Sequence, residues 1–334
     1  MAAKRKVKKL IRKLPIAVTV TLAIIFIIYA ALSYIDYNDV DIGFDLDLGA
    51  ANLFRLGEDA ETETEEKETL PPLEVVVPED GEVVFHFIDV GQGDAILVTT
   101  PDGNMLIDTS IKAVREDLVE YLDAAGVKEL EYLVLTHPDA DHIGNADYII
   151  ETYDIGTILL PDCVSSSKTY ARMLDAMEKS DAKVVSPEPG YTFRLGALVN
   201  TVLAPVKEYD DPNEMSIVIK SVYGETSVML TGDAEVESEG DIVKKWAGAD
   251  LDCDILKVGH HGSGTSTTPA FLSAVSPDIA IISCGADNSY GHPHDETVDK
   301  LRDENVPIYR TDVHGNVVVV TDGETYEVVT EKGE

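Results

Sequence analysis

Thr136-His137-Pro138-Asp139-Ala140-Asp141-His142 follows the apolar run Tyr132-Leu133-Val134-Leu135 and sets four metal-capable side chains within six residues. Side chains leave the end of a strand in alternating directions, so these imidazoles and carboxylates can fill two adjacent coordination spheres. The bland alternative is a solvated Asp-rich loop with two incidental histidines, but few structural needs explain so dense a cluster. The expectation is a two-metal hydrolase site.

Two later stretches supply what the heptad lacks. Thr231-Gly232-Asp233-Ala234 follows an apolar strand at residues 227–230, and a carboxylate at a strand tip after Gly is a candidate bridge between two cations. Asp254-Ile255-Leu256-Lys257-Val258-Gly259 reads as a buried strand that delivers His260-His261-Gly262-Ser263. One imidazole of that doublet is expected to be a ligand.

Phe87-Ile88-Asp89-Val90-Gly91-Gln92-Gly93-Asp94-Ala95 precedes these motifs and Asn288-Ser289-Tyr290-Gly291-His292-Pro293 follows them. In this order the five motifs resemble the metallo-β-lactamase-fold domain at the end of the competence protein ComEC, over residues 82–329. The resemblance implies an α/β fold, an αββα sandwich with metals at one edge of the paired sheets. It also implies a hydrolase, a phosphodiesterase or nuclease acting through a metal-bridging hydroxide.

Carried over, the resemblance makes His137 and Asp139 ligands of one metal, Asp141 and His142 ligands of the second, and Asp233 the bridge. Asp139 stands where most of the superfamily has histidine. The flanking glycine favours His261 over His260 as the last ligand, without settling which of the neighbours points inward. The superfamily usually supplies another histidine before the bridge, yet residues 143–259 contain none. Asn213, Glu214 or water are the available substitutes. Asp141 and His292 are the implied catalytic residues, His292 as phosphate contact or proton donor, with a backbone-bonded turn histidine as the alternative. His294 is expected to cap the helix that follows. Asp94 and Asp108 are read as carboxylates that orient imidazoles, against capped turns. Ser263 is read as bonding substrate or His261, or equally as a helix cap. His86 and His314 are expected to be structural.

Three carboxylates with three imidazoles make a harder ligand set than a histidine-rich one, so Mn²⁺ competes with Zn²⁺. Two divalent ions are expected, of either kind. Such a pair lowers the pKa of a bridging water and screens the phosphoryl oxygens.

The 334 residues divide unevenly. Residues 1–15 carry seven Lys or Arg and precede an apolar stretch at 16–35, about long enough to cross a bilayer core of roughly 30 Å. That stretch is expected to be an uncleaved transmembrane signal anchor, with the N-terminus cytoplasmic and the catalytic domain outside the cell membrane. Residues 36–80 alternate Asp with apolar residues and then run into Glu and Thr, a composition that reads as an extended acidic tether. Residues 81–332 suit one large α/β domain, with helical spacing at residues 114–125, 146–153 and 169–177.

The chain's net charge is −36, and without the seven early Lys and Arg residues it is about −43. That sign opposes tight, sequence-independent binding to long DNA. Local positive charge would come from the metals, with Lys257, Lys220 or Arg310 lining the groove. Cys163, Cys253 and Cys284 are odd in number and lie in or beside apolar segments, so no disulfide framework is expected. The leading expectation is a membrane-anchored phosphodiesterase acting on extracellular DNA, nucleotides or phosphorylated envelope polymers. A lactone, thioester or β-lactam hydrolase, and a non-catalytic component of a DNA-uptake or envelope assembly, are the alternatives.

Overall fold

A computed structural model describes residues 75–249 and 251–333. The basic segment, the expected membrane anchor and the tether as far as residue 74 lie outside the described residues. Among the described residues no helix is long and apolar enough to cross a membrane.

Short β-branched and apolar runs between Gly, Asp and Pro breaks form fifteen strands among the described residues: β1 (Val83–Phe87), β2 (Ile96–Thr100), β3 (Gly103–Ile107), β4 (Glu129–Val134), β5 (Asp154–Leu159), β6 (Lys183–Val185), β7 (Thr192–Leu195), β8 (Leu198–Ala204), β9 (Val218–Tyr223), β10 (Thr226–Leu230), β11 (Ile255–Lys257), β12 (Ile279–Ile282), β13 (Ile308–Arg310), β14 (Val317–Thr321) and β15 (Tyr326–Thr330). They build two sheets, in the orders β15-β14-β1-β2-β3-β4-β5-β6 and β13-β12-β11-β10-β9-β8-β7.

Each sheet is antiparallel on one side and parallel on the other. β3, β4, β5 and β6 run parallel, as do β10, β11, β12 and β13. Parallel neighbours need crossovers, and here those place helices on the outer faces. The helical spacing read from sequence corresponds to helices Arg115–Ala124, Ala146–Thr152 and Lys168–Lys179.

Alternation along each strand decides which layer a side chain joins. Phe85, Phe87, Val98, Met105 and Val134 from the first sheet meet Leu198, Ile219, Leu230, Ile255 and Ile281 from the second in one buried interior. Leu97, Leu106 and Leu133 turn outward onto helices Arg115–Ala124, Ala146–Thr152 and Lys168–Lys179. Met229, Leu256, Ala280 and Ile282 do the same beneath Val236–Lys245, Pro269–Val275 and Leu301 of Asp295–Asp303. The result is helix, sheet, sheet, helix, the αββα order expected from the resemblance.

His86 is structural, as expected. It is fully buried between Tyr121 Oη (3.1 Å) and Thr99 Oγ1 (3.2 Å), and burial pushes its imidazole down to about 3. His314 is likewise local: its Nδ1 accepts the Arg310 N–H at 2.9 Å.

Candidate metal centre

The parallel halves of the two sheets end on the same side of the sandwich, where open α/β folds gather their ligands. Asp108 follows β3 in a left-handed conformation (φ 59°), beside the chain leaving β4. Its Oδ1 accepts the Thr136 N–H (2.8 Å) and its Oδ2 the Thr136 hydroxyl (2.6 Å). The same Oδ2 accepts His142 Nδ1 at 2.7 Å. Nε2 is therefore the ring nitrogen of His142 that is turned to the centre. Asp108 thus holds the ring of His142 from behind.

His137 is buried; its Nδ1 lies 3.2 Å from Thr136 Oγ1 and 3.4 Å from Ser216 Oγ, and its Nε2 has no hydrogen-bond partner. Burial, then the neighbouring His142, pushes its pKa down to about 3, so it stands as a neutral imidazole with a free nitrogen.

From the other sheet, the loop after β10 turns at Gly232 (φ 51°) and presents Asp233, whose N–H donates to Ser216 Oγ at 3.1 Å. Four imidazoles surround Asp233 Oδ2: Nε2 of His142 lies at 3.2 Å, of His261 at 3.4 Å, of His260 at 3.7 Å and of His137 at 4.0 Å. Asp233 Oδ1 has no hydrogen-bond partner. After β11, His260 and His261 are both left-handed, with φ of 47° and 51°. His261 Nδ1 donates to Ser283 O at 2.9 Å, and its Nε2 lies 3.3 Å from His142 Nε2 and 3.5 Å from Asp141 Oδ2. His260 Nδ1 donates to Glu235 Oε1 at 2.6 Å.

Four atoms thus form one corner: Asp141 Oδ2, His142 Nε2, Asp233 Oδ2 and His261 Nε2, with measured edges of 3.2, 3.3, 3.4 and 3.5 Å. A tetrahedral ion bound at about 2.0–2.1 Å has ligand edges of roughly 3.3–3.4 Å. Four of the six edges of such a tetrahedron are thus matched by these side chains.

The charge balance agrees. Burial alone would raise the carboxyl of Asp233, but His142 and then His261 hold it well below the carboxylate range. Burial likewise opposes Asp141, which a hydrogen bond from His261 holds low. Burial would lower His142 and His261, yet Asp233 first, with Asp108 for one and Asp94 for the other, raises both well above the imidazole range. Two protons on imidazoles occupy electrostatically the place of a dication.

Asp94 lies behind His261, with Oδ1 at 3.4 Å from His261 Nδ1 and Oδ2 at 2.5 Å from Lys257 Nζ. Both ends of that ion pair are buried. Lys257 therefore does not line a groove, as the sequence suggested; it also donates to Gly232 O at 3.4 Å and ties β11 to the Asp233 loop. Burial would raise the Asp94 carboxyl, but Lys257 and then His261 hold it at about 2. Lys257→Met leaves Asp94 buried and uncompensated, and should destabilise the metal-free chain by about 3–5 kcal/mol in urea unfolding. Adding Asp94→Asn to it should recover part of that loss. The ion pair's stabilisation is present above an ordinary Asp pKa and should fade as pH falls from about 4 toward 2, because the folded carboxyl titrates lower than the unfolded one.

Other expected residues are placed differently. Asp139 is exposed, its carbonyl accepting the N–H of His142 and Ile143, and it joins none of the ligand-atom groups that lie within 4.8 Å of one another. Glu214 is spent on the start of helix Val236–Lys245, accepting the N–H groups of Glu235, Glu237 and Ser238 at 3.2, 2.9 and 2.7 Å. Asn213 Nδ2 reaches Glu235 Oε1 at 3.5 Å. Ser263 Oγ bonds Thr265 Oγ1 at 2.8 Å and accepts the Thr265 N–H at 3.3 Å, a local turn. His294 heads helix Asp295–Asp303 but its Nδ1 accepts the Gly264 N–H at 2.8 Å, with no side-chain cap. Cys284 Sγ donates to Asp312, which also pairs with Arg310.

His292 stands beside the cluster, its ring 5.3 Å from that of His260 and 6.1 Å from that of His261, and its buried Nδ1 has no hydrogen-bond partner. Burial, then His260, lowers it to about 4, so it is neutral at physiological pH. Sequence reasoning missed the Lys257–Asp94 pair, Ser216 beneath Asp233, and Glu235 behind His260. A lysine inside the apolar run Ile255-Leu256-Lys257-Val258 was the available signal for the first, since such a charge is buried only when paired.

Two facing mixed sheets, with imidazoles and carboxylates gathered at the ends of their parallel strands, define a class. The chain belongs to the metallo-beta-lactamase superfamily, whose family profile matches residues 88–286. Within it, the chain is similar to ComEC-like competence proteins. It is 34% identical over 259 residues to ComE operon protein 3 of Bacillus subtilis, covering 71% of this chain and 33% of that protein. It is 32% identical over 241 residues to competence protein ComA of Neisseria gonorrhoeae, covering 72% of this chain and 32% of that one. The chain therefore matches about a third of the length of these relatives. Among solved structures it is similar to the metallo-beta-lactamase fold protein YhfI from Bacillus subtilis, with 12% identity, a TM-score of 0.49, and coverage of 72% of this chain and 100% of that one.

Proposed function

We propose that the chain is a metal-dependent phosphodiesterase with two divalent ions, Zn²⁺ or Mn²⁺, anchored through residues 16–35 with its catalytic domain outside the membrane. The observation that carries the metal dependence is the four-atom corner, four of whose edges match those of one tetrahedral ion. When bound, divalent ions would supply an acidified water and positive charge against the phosphoryl oxygens.

The protein's own groups do the rest. Asp141, His142, Asp233 and His261 would hold one ion, and His137 with Asp233 would contribute to holding the other. Asp108 and Ser283 fix which nitrogen of His142 and His261 faces inward, because each binds the opposite ring nitrogen. His292, neutral and beside the cluster, would offer its ring to a phosphoryl oxygen. Relatives named for competence favour nucleic acid as the diester. The acidic surface favours short or single-stranded segments over long duplexes.

Loading the site should displace the protons that His142 and His261 carry in its absence. Calorimetry at neutral pH in buffers of differing ionisation enthalpy should record release of about two protons per corner filled, and affinity should fall as pH is lowered. No proton release would contradict the pairing described. The function is tested on the full chain, loaded with Mn²⁺ or Zn²⁺ and offered bis-p-nitrophenyl phosphate, single-stranded DNA and nitrocefin. Phosphodiester turnover lost in Asp141→Ala is the expected result. Turnover of nitrocefin alone would replace the proposal with a lactam hydrolase, and silence on all substrates at full metal loading would replace it with a non-catalytic role.

A further inference from the structure

Only two of the four imidazoles around Asp233 Oδ2 belong to the four-atom corner. His142 and His261 lie 3.3 Å apart and share it with Asp141. His260 and His137 stand outside that corner, at 3.7 and 4.0 Å from the same oxygen, and His137 also groups with His142 and Asp233 within 4.8 Å. His137 Nε2 is buried without a partner, and so is the second oxygen of Asp233. Two potential ligand atoms, one of them on the bridge carboxylate, are thus desolvated and unsatisfied, a state that buried polar atoms rarely keep unless something else satisfies them.

His260 is built for that side. Its Nδ1 donates to Glu235 at 2.6 Å, so Nε2 is the nitrogen with the lone pair, and Nε2 is the atom near Asp233. Carboxylate behind, imidazole between, open nitrogen forward is the arrangement by which proteins fix a ligating histidine. His142 has it from Asp108. Glu235 is itself held, accepting Thr265 Oγ1 at 2.8 Å and Asn213 Nδ2 at 3.5 Å. The backbone gives the same reading. Consecutive non-glycine residues in the left-handed region cost on the order of 1–3 kcal/mol each and persist where surroundings over-determine them. Here that conformation lets two neighbouring side chains reach one carboxylate oxygen, which alternation along an extended strand forbids.

We infer that the doublet is divided between the two ions, His261 serving the corner with Asp141 and His142, and His260, aimed by Glu235, serving the second ion with His137 and Asp233. His260 so takes the part of the histidine that residues 143–259 do not contain, and Asn213 acts on the site through Glu235. This inference rests on the two-ion reading above.

The test is metal stoichiometry of the full chain after equilibrium dialysis against Mn²⁺, with electron paramagnetic resonance to report whether the ions are spin-coupled. Wild type should bind two equivalents with a coupled signal. His260→Ala should keep one equivalent at wild-type affinity, bind the second at least about tenfold more weakly, and show the signal of an isolated ion. Glu235→Gln, which keeps the imidazole, should weaken the same equivalent by about 10–100-fold. Thermal unfolding of the metal-free variants close to wild type would show that the fold survives. Two equivalents of unchanged affinity in His260→Ala would overturn the inference and leave the phosphodiesterase reading intact. Loss of both equivalents in a folded His260→Ala would also overturn it, by placing His260 in the shared corner. A single equivalent in wild type would overturn it together with the two-ion reading.

Discussion

Asp233→Asn should lower phosphodiester hydrolysis more than about 100-fold, because even partners that only orient a ligand cost 10–100-fold when removed. Asn is close in size and keeps the N–H donated to Ser216 Oγ, so the loop after β10 should hold its course. What is lost is the anion that four imidazole nitrogens approach within 3.2–4.0 Å. On the two-ion proposal both sites would draw on that carboxylate, so the metal content of the purified variant should fall along with its rate. Metal analysis and initial rates on bis-p-nitrophenyl phosphate check this together. A variant with full metal content and wild-type turnover would show that Asp233 is a structural acid.

Removing the metal should be the second large effect, this time on stability. A ligand that binds only the folded chain stabilises it by about 4.1 kcal/mol at a free concentration of 1,000 times its Kd. For a domain of this size one kcal/mol moves the midpoint by roughly 2–4 °C, so chelation should lower Tm by about 8–16 °C. The metal-free cluster should remain folded, since Asp141, Asp233 and Asp94 are balanced by raised imidazoles and by Lys257. Its stability should therefore depend on the charge of His142 and His261. Their folded pKa values lie above the unfolded one, so their contribution is complete below about pH 6.5 and is lost as pH rises through the folded values. Calorimetric scans with and without chelator across neutral to alkaline pH measure both effects. A chelated midpoint equal to the loaded one would mean that no ion is held.

The ligand-bearing loops were legible because they depend on local order, whereas the sandwich came only through the resemblance, since periodicity alone does not tell it from a doubly wound sheet. An apolar strand followed by His and Asp at fixed offsets, or by Thr-Gly-Asp, announces both the strand and what its end carries. The division between antiparallel and parallel halves was not legible, since strand partners such as β1 and β14 stand more than 200 residues apart. Within the site, the failures share one cause: a polar side chain's role depends on which partner reaches it first. Glu214 has the chemistry of a ligand but lies where three backbone N–H groups of helix Val236–Lys245 claim it. Ser263 is claimed by Thr265, and Asp139, although its spacing equals that of its neighbours, joins none of the ligand-atom groups. The choice between His260 and His261 was unreadable for another reason. Alternation argues that only one of two neighbours points inward, and nothing in the letters says that both adopt positive φ.

The most direct measurement is anomalous diffraction from crystals of the Zn²⁺- or Mn²⁺-loaded chain, collected at the metal absorption edge. The account predicts a peak about 2.0–2.2 Å from Asp141 Oδ2, His142 Nε2, Asp233 Oδ2 and His261 Nε2. Those four side chains paired only with one another, with no anomalous density among them at saturating metal, would contradict it.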